Sequence, residues 1–559
     1  MVAKVLFTIG AALILVGIVI PTSTLLEFLR TVPDGLREQL KFGAIFFKAG
    51  LVLDGVFVMS LGWIVTGKSR KPDERRLTER YHVSPWYPLA FILLAAFLLR
   101  MYNLNLGIWF DEIVTYIFYV NQPFGEILTT YDNQNNHLLY TIIAHLSFLT
   151  FGESVWTLRL PAVLFGVGSI WALYRFSCQV GTWKEGLLSA SILTFSYHHV
   201  WFSQNARGYT ALLFWTLFSS SLLIRALRGN RVGLWLMYGV TVALGLVTHL
   251  TMAFVIVGQG LVFLLNMYRS DKTNRRQKWL GGILGIAVAA LLSFQLYALV
   301  LPQLFNLHGD GVGSWQGEVA VAVWKSPIWM LGELLKGLNI SLGNGIIICL
   351  AIFVFGVGLF DFSAKKSPIV ILLLVPVLLS VMVIMALGST LVPRLFFFAV
   401  GFAVIIVVRG LMLSGEFGAR KLQVRFIKGS TLGVVMCVVL IISSAISVSG
   451  AFLPKQDFAG AMEFVQEKRR SGDVVVIVGL TVIPYERFYK VDWQEIETLE
   501  ELNKVRTRGG RTWLVYTMPV VLKAAHPEIM KSIQIDFEPV KEFPGTLNGG
   551  NIVVALAKS

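Results

Sequence analysis

The sequence predicts an α-helical multi-pass membrane protein that ends in a small α/β domain. Of its 559 residues, 55% are hydrophobic and 14% are charged, whereas about 25% of the residues in a soluble domain are charged. Apolar runs of about 15–23 residues, each long enough to cross the hydrocarbon core of a bilayer, recur as far as about residue 450. Beyond that point the charge content is ordinary and the apolar runs shorten to strand length.

The apolar runs predict about 13 membrane-spanning helices. A further apolar run, 137–151, breaks the alternation of the loops if it is counted as a span, so we expect it to be re-entrant or juxtamembrane. No small-residue cleavage site follows the first run, which favours an uncleaved membrane helix over a signal peptide. The predicted spans are 5–20, 42–65, 86–104, 156–178, 185–200, 209–224, 233–249, 252–267, 279–301, 345–360, 369–387, 395–413 and 429–449.

The net charge of +15 reflects Lys and Arg residues in short loops between the apolar runs. This distribution follows the positive-inside rule and argues against nucleic acid as a partner. It places the C-terminus and two loops, 105–136 and 302–344, on the outer side of a plasma membrane. The three cysteines lie in or beside apolar runs, so neither a disulfide framework nor a cysteine metal site is indicated. The predicted cytoplasmic loops are 67–82, 225–231, 268–278, 361–366 and 416–428.

The chain is predicted to have four parts. They are an N-terminal transmembrane hairpin (1–66), a basic cytoplasmic linker (67–85), a transmembrane domain (86–450) and an extracytoplasmic α/β domain (451–559). The last part alternates strand-like runs with helical patterns. It lacks a phosphate loop or dinucleotide fingerprint, so we expect a structural or acceptor-docking role. Its predicted strands are 473–479, 512–517 and 551–557, and its predicted helices are 458–472 and 498–510.

Two further features are a long outer loop and a charged residue inside a predicted span. The loop 302–344 contains His308, Asp310 and a segment, 324–339, that is predicted to form an interfacial helix, and it is a candidate mobile cover over an outward cavity. Asp54, with Lys48 nearby, lies inside the second apolar run, where a charge is costly. We expect these two residues to form a paired structural contact.

Asp111 and Glu112 stand side by side in the polar loop 105–136, directly after a membrane-length run. Two negative charges this close together, near the low dielectric of the membrane, raise the pKa of one carboxyl group. A raised pKa suits a general base or a metal site. A divalent metal ion held by this pair is therefore possible. The alternative is that the acids only cap a short helix.

Other candidate residues also fall at predicted outer span ends. His137 and Tyr140 are three positions apart, which would place them on one face of a helix. Arg207 lies between apolar runs and needs an anionic partner, for which a guanidinium suits phosphate. The alternative interpretation is that Arg207 binds no anion and only extends its charged end to the membrane interface. His249 and Arg394 also lie at outer span ends, whereas the side on which Arg159 lies is open.

Five short motifs follow one another in an order that resembles the C-type (GT-C) glycosyltransferases, especially bacterial relatives of protein O-mannosyltransferases and lipid A aminoarabinose transferases. The resemblance covers roughly residues 86–450, and the trailing α/β domain is similar to that of many bacterial members. In this family the loop after the histidine often reads Pro-Pro-Leu, whereas Leu138 and Leu139 follow His137 here. The motifs are Asp111-Glu112, His137–Tyr140, TLRLPAVLFG (157–166), SQNARGY (203–209) and LVTHLT (246–251).

The resemblance implies an inverting transfer of a sugar from a polyprenyl phosphate at the outer membrane face. It implies that Asp111 is the general base and that Glu112 assists it. His137, Tyr140, Arg207 and Tyr209 are expected to bind substrate with His249, and Arg394 is expected to neutralise the lipid phosphate. Some relatives use a divalent cation at the first-loop acids. The acceptor is a lipid, a glycan or a protein.

Two other functions are compatible with the same residues. A lipid or glycan transporter, or a flippase, would line a path with them, but it should keep charged residues deep in several spans. A non-catalytic scaffold of the cell envelope would use the α/β domain for docking and would tolerate the loss of Asp111. Because the informative residues are predicted to cluster at outer span ends, the sequence favours the glycosyltransferase.

Overall fold

The computed structural model describes residues 2–29, 36–66, 86–133, 135–229, 231–306, 322–343, 345–421, 429–507 and 510–558. The predicted linker 67–85 and the middle of the loop 302–344, with His308 and Asp310, lie outside these residues. Within them the predicted fold class is confirmed, because a bundle of apolar helices is followed by a small α/β domain.

The bundle begins with a helical hairpin and continues with helices of very different length. A helix, α16, is present where the sequence predicts one in the loop 302–344, whereas its interfacial position stays a prediction. The helices are α1 (Val2–Val19), α2 (Thr22–Leu29), α3 (Arg37–Thr66), α4 (Trp86–Met101), α5 (Phe110–Thr115), α6 (Phe124–Thr129), α7 (Leu138–Phe151), α8 (Val155–Val180), α9 (Trp183–Thr194), α10 (Tyr197–Ser203), α11 (Tyr209–Gly229), α12 (Val232–Thr248), α13 (Met252–Arg269), α14 (Lys272–Tyr297), α15 (Leu301–Asn306), α16 (Pro327–Leu342), α17 (Gly345–Ala364), α18 (Pro368–Ala386), α19 (Val400–Lys421) and α20 (Gly429–Ser447).

Among the described residues, ten helices are long and apolar enough to cross a membrane, and α4, α7 and α12 are shorter apolar helices. The chain is thus a multi-pass membrane protein, but the expected number of 13 spans is not confirmed. The predicted span 185–200 is interrupted, because α9 ends at Thr194 and Ser196 caps a new helix, α10. With 12 residues, α9 is about 18 Å long, shorter than the roughly 30 Å hydrocarbon core. That 137–151 does not cross the membrane stays a prediction.

Glycines let the helices of the bundle approach closely. A Cβ atom on Gly358 would lie 2.0 Å from the carbonyl oxygen of Ile406, and one on Gly410 would lie 2.0 Å from that of Val354. The backbones of α17 and α19 are therefore in contact, as is common where small residues meet in membrane helices.

The N-terminal hairpin packs α1 against α3, again through glycines. The expected ion pair between Lys48 and Asp54 is not formed, since no nitrogen–oxygen contact within 4 Å joins these two described side chains. On the bundle side, a Cβ atom on Gly43 would lie 2.3 Å from the carbonyl oxygen of Leu299. The hairpin thus packs tightly against the region that follows α14.

The C-terminal domain has the predicted alternation of strands and helices, with two strands that the sequence did not indicate. Its five-stranded sheet has the order β2-β1-β3-β5-β4, in which β1 is parallel to β2 and β3, whereas β5 is antiparallel to β3 and β4. All six residues of β3 are buried, as expected for a central strand covered on both faces. The elements are α21 (Phe458–Lys468), β1 (Val474–Ile477), β2 (Gln494–Glu495), α22 (Leu499–Arg506), β3 (Thr512–Thr517), α23 (Pro519–Ala525), α24 (Pro527–Asp536), β4 (Phe537–Phe543) and β5 (Ile552–Ala557).

The α/β domain shares a hydrophobic core with the loop 105–136. Phe110 and Ile113 of α5 belong to the same cluster of buried side chains as Phe458 of α21. The ring of Tyr116 meets the edge of Phe488 at 5.8 Å between centroids. The domain therefore lies at the same end of the bundle as Asp111 and supports the helix that carries this residue.

Candidate active site

Three segments bring polar side chains together at one end of the bundle. Asp111 lies in the first turn of α5, Arg207 lies in the turn between α10 and α11, and Arg394 lies in the short 3-10 segment Pro393–Ala399 before α19. All three positions are at helix ends, where backbone and side chains extend beyond the apolar body of the bundle.

Asp111 and Arg394 form an ion pair across 283 positions of the chain. The Nη1 atom of Arg394 donates to Oδ2 of Asp111 at 3.0 Å. The Asp111 side chain is 5% exposed, and that of Arg394 is 32% exposed. Within the described residues, Oδ1 of Asp111 accepts no hydrogen bond. One carboxylate oxygen is therefore held in place while the other remains available as a base.

Glu112 has a different environment from its neighbour. Arg159 donates from Nε to Oε1 at 2.8 Å and from Nη2 to Oε2 at 2.6 Å, which is a bidentate ion pair. The backbone N–H of Ala206 donates to Oε1 at 2.7 Å, and that of Trp109 donates to Oε2 at 3.5 Å. Burial alone would raise the pKa of Glu112, but Arg159 and the other donors hold this pKa below its ordinary value.

The direct catalytic role expected for Glu112 does not fit this geometry. Its side chain is 0% exposed and both oxygens are occupied. Glu112 instead accepts from the N–H of Trp109 at the start of α5, which is the helix-capping role given above as the alternative. The sequence left open on which side of the membrane Arg159 lies. Its ion pair with Glu112 places it at the same end of the bundle as Asp111. It also donates to the carbonyl oxygens of Leu104 and Leu106 at 2.9 and 2.7 Å. Glu112 and Arg159 together fix the entry of the loop that presents Asp111.

Asn135 connects Asp111 to Arg207. Its Nδ2 atom lies 3.5 Å from the carbonyl oxygen of Asp111, and its Oδ1 atom accepts from Nη1 of Arg207. The same Nη1 lies 3.4 Å from the hydroxyl of Thr115, and Nη2 lies 3.2 Å from Nε2 of His137. Asn135 therefore links the backbone of Asp111 to Arg207, and the same guanidinium contacts His137.

Two donors approach the imidazole of His137. The backbone N–H of Gly208 donates to Nδ1 at 2.9 Å, while Nη2 of Arg207 lies near Nε2. A neutral imidazole has only one acceptor nitrogen, so Nε2 carries the proton and faces another donor. Gly208 has to be glycine, because a Cβ atom there would lie 2.6 Å from Nδ1. Two N–H groups therefore face each other at Nε2, and neither satisfies the other.

Arg207 is a buried cation with unused donors. Its residue is 3% exposed, and its Nε atom has no hydrogen-bond partner within the described part of the chain. No carboxylate oxygen of a described residue lies within 4 Å of its guanidinium. A buried arginine without an anionic partner is costly, so the chemistry of this position suits an anion from outside the chain.

His249 and Tyr209 complete the cluster. The ring of His249 lies 4.7 Å from that of His137, and Tyr209 lies 5.3 Å from His137, both as edge contacts. The Arg207 guanidinium lies 5.9 Å from the centroid of the Tyr209 ring. These predicted substrate-binding residues therefore surround His137 and Arg207.

Tyr140 does not belong to this cluster, which corrects the prediction that it shares a helix face with His137. His137 precedes α7 as its cap residue, and only Tyr140 lies within the helix. The Tyr140 hydroxyl donates to the carbonyl oxygen of Leu158 at 2.6 Å, and the residue is 1% exposed. Tyr140 thus joins α7 to α8, and its hydroxyl is not directed towards His137.

A buried lysine from the C-terminal part lies behind Glu112. Lys455 is 5% exposed, and its Nζ atom donates to the carbonyl oxygen of Gln204 at 2.7 Å and lies 5.0 Å from the centroid of the Trp201 ring. Burial lowers the pKa of Lys455 to about 7, and the negative charge of Glu112 limits this decrease. The residue was not predicted, because a lysine 343 positions after Glu112 gives no local signal in the sequence.

The residues present do not fit a divalent metal ion at Asp111 and Glu112. One oxygen of Asp111 is paired with Arg394, and both oxygens of Glu112 are paired with donors. In the part of the chain that the structure describes, no group of three or more His, Cys, Asp or Glu side chains is arranged to hold a metal ion. The two adjacent carboxylates therefore act separately, each with its own arginine.

Residues 137–294 match the family model of dolichyl-phosphate-mannose-protein mannosyltransferases. The predicted resemblance to C-type glycosyltransferases is thereby confirmed for this segment. It includes His137, Arg207, Tyr209 and His249, whereas Asp111 and Arg394 lie outside it. No curated protein matches the chain.

Two solved structures have a similar arrangement of the chain at low sequence identity. One is the archaeal oligosaccharyltransferase AglB from Archaeoglobus fulgidus in complex with an inhibitory peptide and a dolichol-phosphate; it is 11% identical over 84% of this chain and 74% of that chain, with a TM-score of 0.49. The other is ArnT from Cupriavidus metallidurans bound to undecaprenyl phosphate; it is 13% identical over 85% of this chain and 98% of that chain, with a TM-score of 0.45.

Proposed function

We propose that this protein is a membrane glycosyltransferase that moves a sugar from a polyprenyl-phosphate donor to an acceptor hydroxyl, with inversion at the sugar carbon. The observation that carries the proposal is the juxtaposition of a half-free carboxylate, Asp111, with a buried arginine, Arg207, that has no anionic partner among the described residues. Transfer from a phosphate leaving group requires a base close to cations that can hold the phosphate. The family match over 137–294 supports the same chemistry.

The proposed reaction is a single displacement at the anomeric carbon of the sugar. Oδ1 of Asp111 takes the proton of the acceptor hydroxyl while the acceptor oxygen forms a bond to the anomeric carbon. The bond between that carbon and the phosphate oxygen breaks, and its electron pair leaves with the polyprenyl phosphate. Because the acceptor attacks the face opposite the leaving group, the configuration at the carbon is inverted. The two products are the glycosylated acceptor and a lipid phosphate.

The leaving group is stabilised by cations that are already in place. Arg394 keeps free donors beyond its contact with Asp111, and Arg207 has an unpartnered Nε atom. A phosphate oxygen between Arg207 and Nε2 of His137 accepts from both, which relieves the approach of two donors there. Charged hydrogen bonds of this kind are stronger than neutral ones, and they need no reorganisation during the reaction. The lipid tail is expected to lie along the apolar surface of the bundle.

Asp111 is proposed as the base and Glu112 as a positioning residue that acts through Arg159. This division is supported by the free Oδ1 atom of Asp111 and by the full burial of Glu112. No step is assigned to a metal ion, because the two carboxylates are separately paired with Arg394 and Arg159. By the positive-inside rule, we place the site on the extracytoplasmic face of the plasma membrane.

The rival proposal, a lipid or glycan transporter, makes a different prediction for charges inside the bundle. The one fully buried arginine of α4 that the structure describes, Arg100, is held by Ser203, by the carbonyl oxygens of Leu193 and Thr194, and by His199 at 2.6 Å. Arg100 has no free donor directed into a passage, so its role is structural. By contrast, Arg207, whose Nε atom has no hydrogen-bond partner within the described residues, lies just before α11 and not within the length of a helix.

The two proposals are separated by following donor and product in proteoliposomes. Purified full-length protein is supplied with a panel of polyprenyl-phosphate sugars and with lipid, glycan and peptide acceptors. Appearance of free polyprenyl phosphate, together with an acceptor product of inverted configuration, supports the transferase. Movement of the intact donor across the bilayer without release of polyprenyl phosphate for any sugar and acceptor would contradict it.

A further inference from the structure

A cavity of about 430 Å³ lies between the C-terminal ends of α11 and α13 and the turn from α17 to α18. Its polar rim includes Arg228, Arg269 and Lys366, and its wall includes apolar side chains such as Leu265 and Ile371. A basic rim beside an apolar wall is complementary to an anionic amphiphile. The cavity is therefore shaped for a ligand with a charged head and a hydrocarbon chain.

The cavity is distant from the Asp111 site. Helix α11 begins at Tyr209, which belongs to the Asp111 site, and ends at Gly229, next to Arg228 of the cavity. Its 21 residues correspond to about 30 Å along the helix axis. The cavity and the site thus lie at opposite ends of the bundle, about one bilayer thickness apart.

The three basic side chains on the rim lack carboxylate partners. Within the described residues, no carboxylate oxygen lies within 4 Å of the charged groups of Arg228, Arg269 or Lys366. The nearby acid Asp361 is already occupied, because Lys365 donates to it at 2.9 Å and Arg409 donates to it at 2.8 Å. No ion pair with a described carboxylate therefore offsets the positive charge of the rim.

The start of α18 adds further donors to the same rim. Ser367 and Pro368 line the cavity and begin this 19-residue helix. The Ser367 side chain makes no capping hydrogen bond, so the first N–H groups of the helix are not satisfied by it. A helix N-terminus attracts negative charge, and here it faces the same cavity as the three cations.

We propose that this cavity binds the phosphate headgroup of an anionic bilayer phospholipid, with one acyl chain along the apolar wall between α13 and α18. The phosphate would accept from Arg228, Arg269 and Lys366 and from the start of α18. Because these residues belong to three separate parts of the bundle, the bound lipid would hold α11, α13 and α18 together. This site is independent of the glycosyltransferase proposal.

The test uses two variants of the full-length protein with the same change in charge. The first, Arg228→Gln/Arg269→Gln/Lys366→Gln, removes the rim cations. The second, Arg231→Gln/Lys272→Gln/Arg276→Gln, removes three exposed basic residues at the same end of the bundle that do not line the cavity. Binding of phosphatidylglycerol to each detergent-purified protein is titrated by native mass spectrometry.

We expect the rim variant to bind phosphatidylglycerol roughly a hundredfold more weakly, since each Lys or Arg near an anionic lipid contributes about a factor of five. The control variant should change by less than about twofold. Equal losses in the two variants, or no loss in the rim variant, would overturn the proposal. Thermal unfolding of both variants confirms that each is folded.

Three other probes identify the ligand. Phosphatidylcholine and inorganic phosphate should bind the wild-type protein at least tenfold more weakly than phosphatidylglycerol, because the first has no net charge and the second has no acyl chain. Undecaprenyl phosphate should not bind more tightly than phosphatidylglycerol at this rim. Tighter binding of undecaprenyl phosphate that is lost in the rim variant would contradict the proposed phospholipid.

Discussion

Gln456 accepts a hydrogen bond from the backbone N–H of Phe110 at 3.1 Å, although the two residues are 346 positions apart. Phe110 is the first residue of α5 and directly precedes Asp111. The Nε2 atom of Gln456 donates to Thr517 at the end of β3 at 3.3 Å. Through this one side chain, the sheet of the α/β domain holds the start of the helix that presents the proposed base.

The first prediction concerns this connection. Gln456→Ala should lower kcat by roughly tenfold to a hundredfold, because a displacement of about 1 Å at a reacting group has effects of this size. KM should change much less, since Gln456 does not touch substrate. The matched control is Gln466→Ala, an exposed glutamine on α21.

A double variant distinguishes positioning from a general loss of stability. Thr517→Val removes the second partner of Gln456, so its effect on kcat should be largely absent when Gln456 is already alanine. Effects of the two substitutions that add independently would show that Gln456 does not act through the α/β domain.

The second prediction concerns the buried pair of Glu112 and Arg159. Glu112→Gln leaves Arg159 without its carboxylate and should destabilise the protein by about 3–5 kcal/mol, as loss of one partner of a buried ion pair does. The measurement is thermal unfolding in detergent, with Glu126→Gln as the control because no ion pair of Glu126 is formed among the described residues. If Glu112→Gln instead kept its stability and lost only activity, Glu112 would be a catalytic residue.

The third prediction concerns donor binding. Arg207→Gln should raise the donor KM by roughly ten- to a hundredfold, because a hydrogen bond to a charged group contributes about 1.5–3 kcal/mol. Inhibition by the product polyprenyl phosphate should weaken in parallel. Arg506→Gln, a partly exposed arginine on α22 that is paired with Asp536, is the control. A normal affinity of the Arg207 variant for polyprenyl phosphate would place the lipid phosphate elsewhere.

The fourth prediction is a pH dependence that arises from Lys455. Its pKa in the folded protein is lowered to about 7, whereas an unfolded lysine has a pKa of about 10.4. Between these values the unfolded chain binds more protons than the folded one, so this lysine makes the folded protein more stable as pH rises from 7 towards 10. Lys455→Met should remove this part of the slope.

The measurement for Lys455 is the unfolding temperature from pH 6 to pH 9. Lys468→Met is the control, because its side chain is 52% exposed. The unfolding temperature of the Lys455 variant should rise less with pH than that of the control. Parallel curves for the two variants would mean that Lys455 is not buried in the folded protein.

Much of the fold was predictable because membrane spans are long, local and uniform in composition. The exceptions are segments in which packing overrides the local pattern. The apolar run 185–200 is broken because Ser196 caps a new helix, and a cap of one residue is a weak signal within an apolar run. The strands β2 and β4 were missed because β2 has two residues and β4 is mostly exposed.

The sequence indicates those residues of the site whose charge is costly close to a membrane span. Asp111, Arg207 and Arg394 were indicated because charges at span ends are costly. Tyr140 was assigned to the site in error, since His137 lies outside α7 and the assumed helical spacing does not apply. Gln456 and Asn135 were not indicated, because neutral amides are common in loops and their roles arise only from contacts across the fold.

The last prediction tests the central claim, that Asp111 is the base. Asp111→Asn keeps the shape of the side chain and removes its basicity, so transfer from the polyprenyl-phosphate sugar should fall by about 10²–10⁴-fold, the usual contribution of a general base. Asp132→Asn, which changes an exposed carboxylate that accepts from Tyr119 at 2.9 Å, should stay within about threefold of wild type. The decisive measurement is the rate of product formation by the two variants at saturating donor and acceptor. We expect a large loss for Asp111→Asn alone, and an Asp111→Asn enzyme that transfers sugar as fast as wild type would show that Asp111 is not the base.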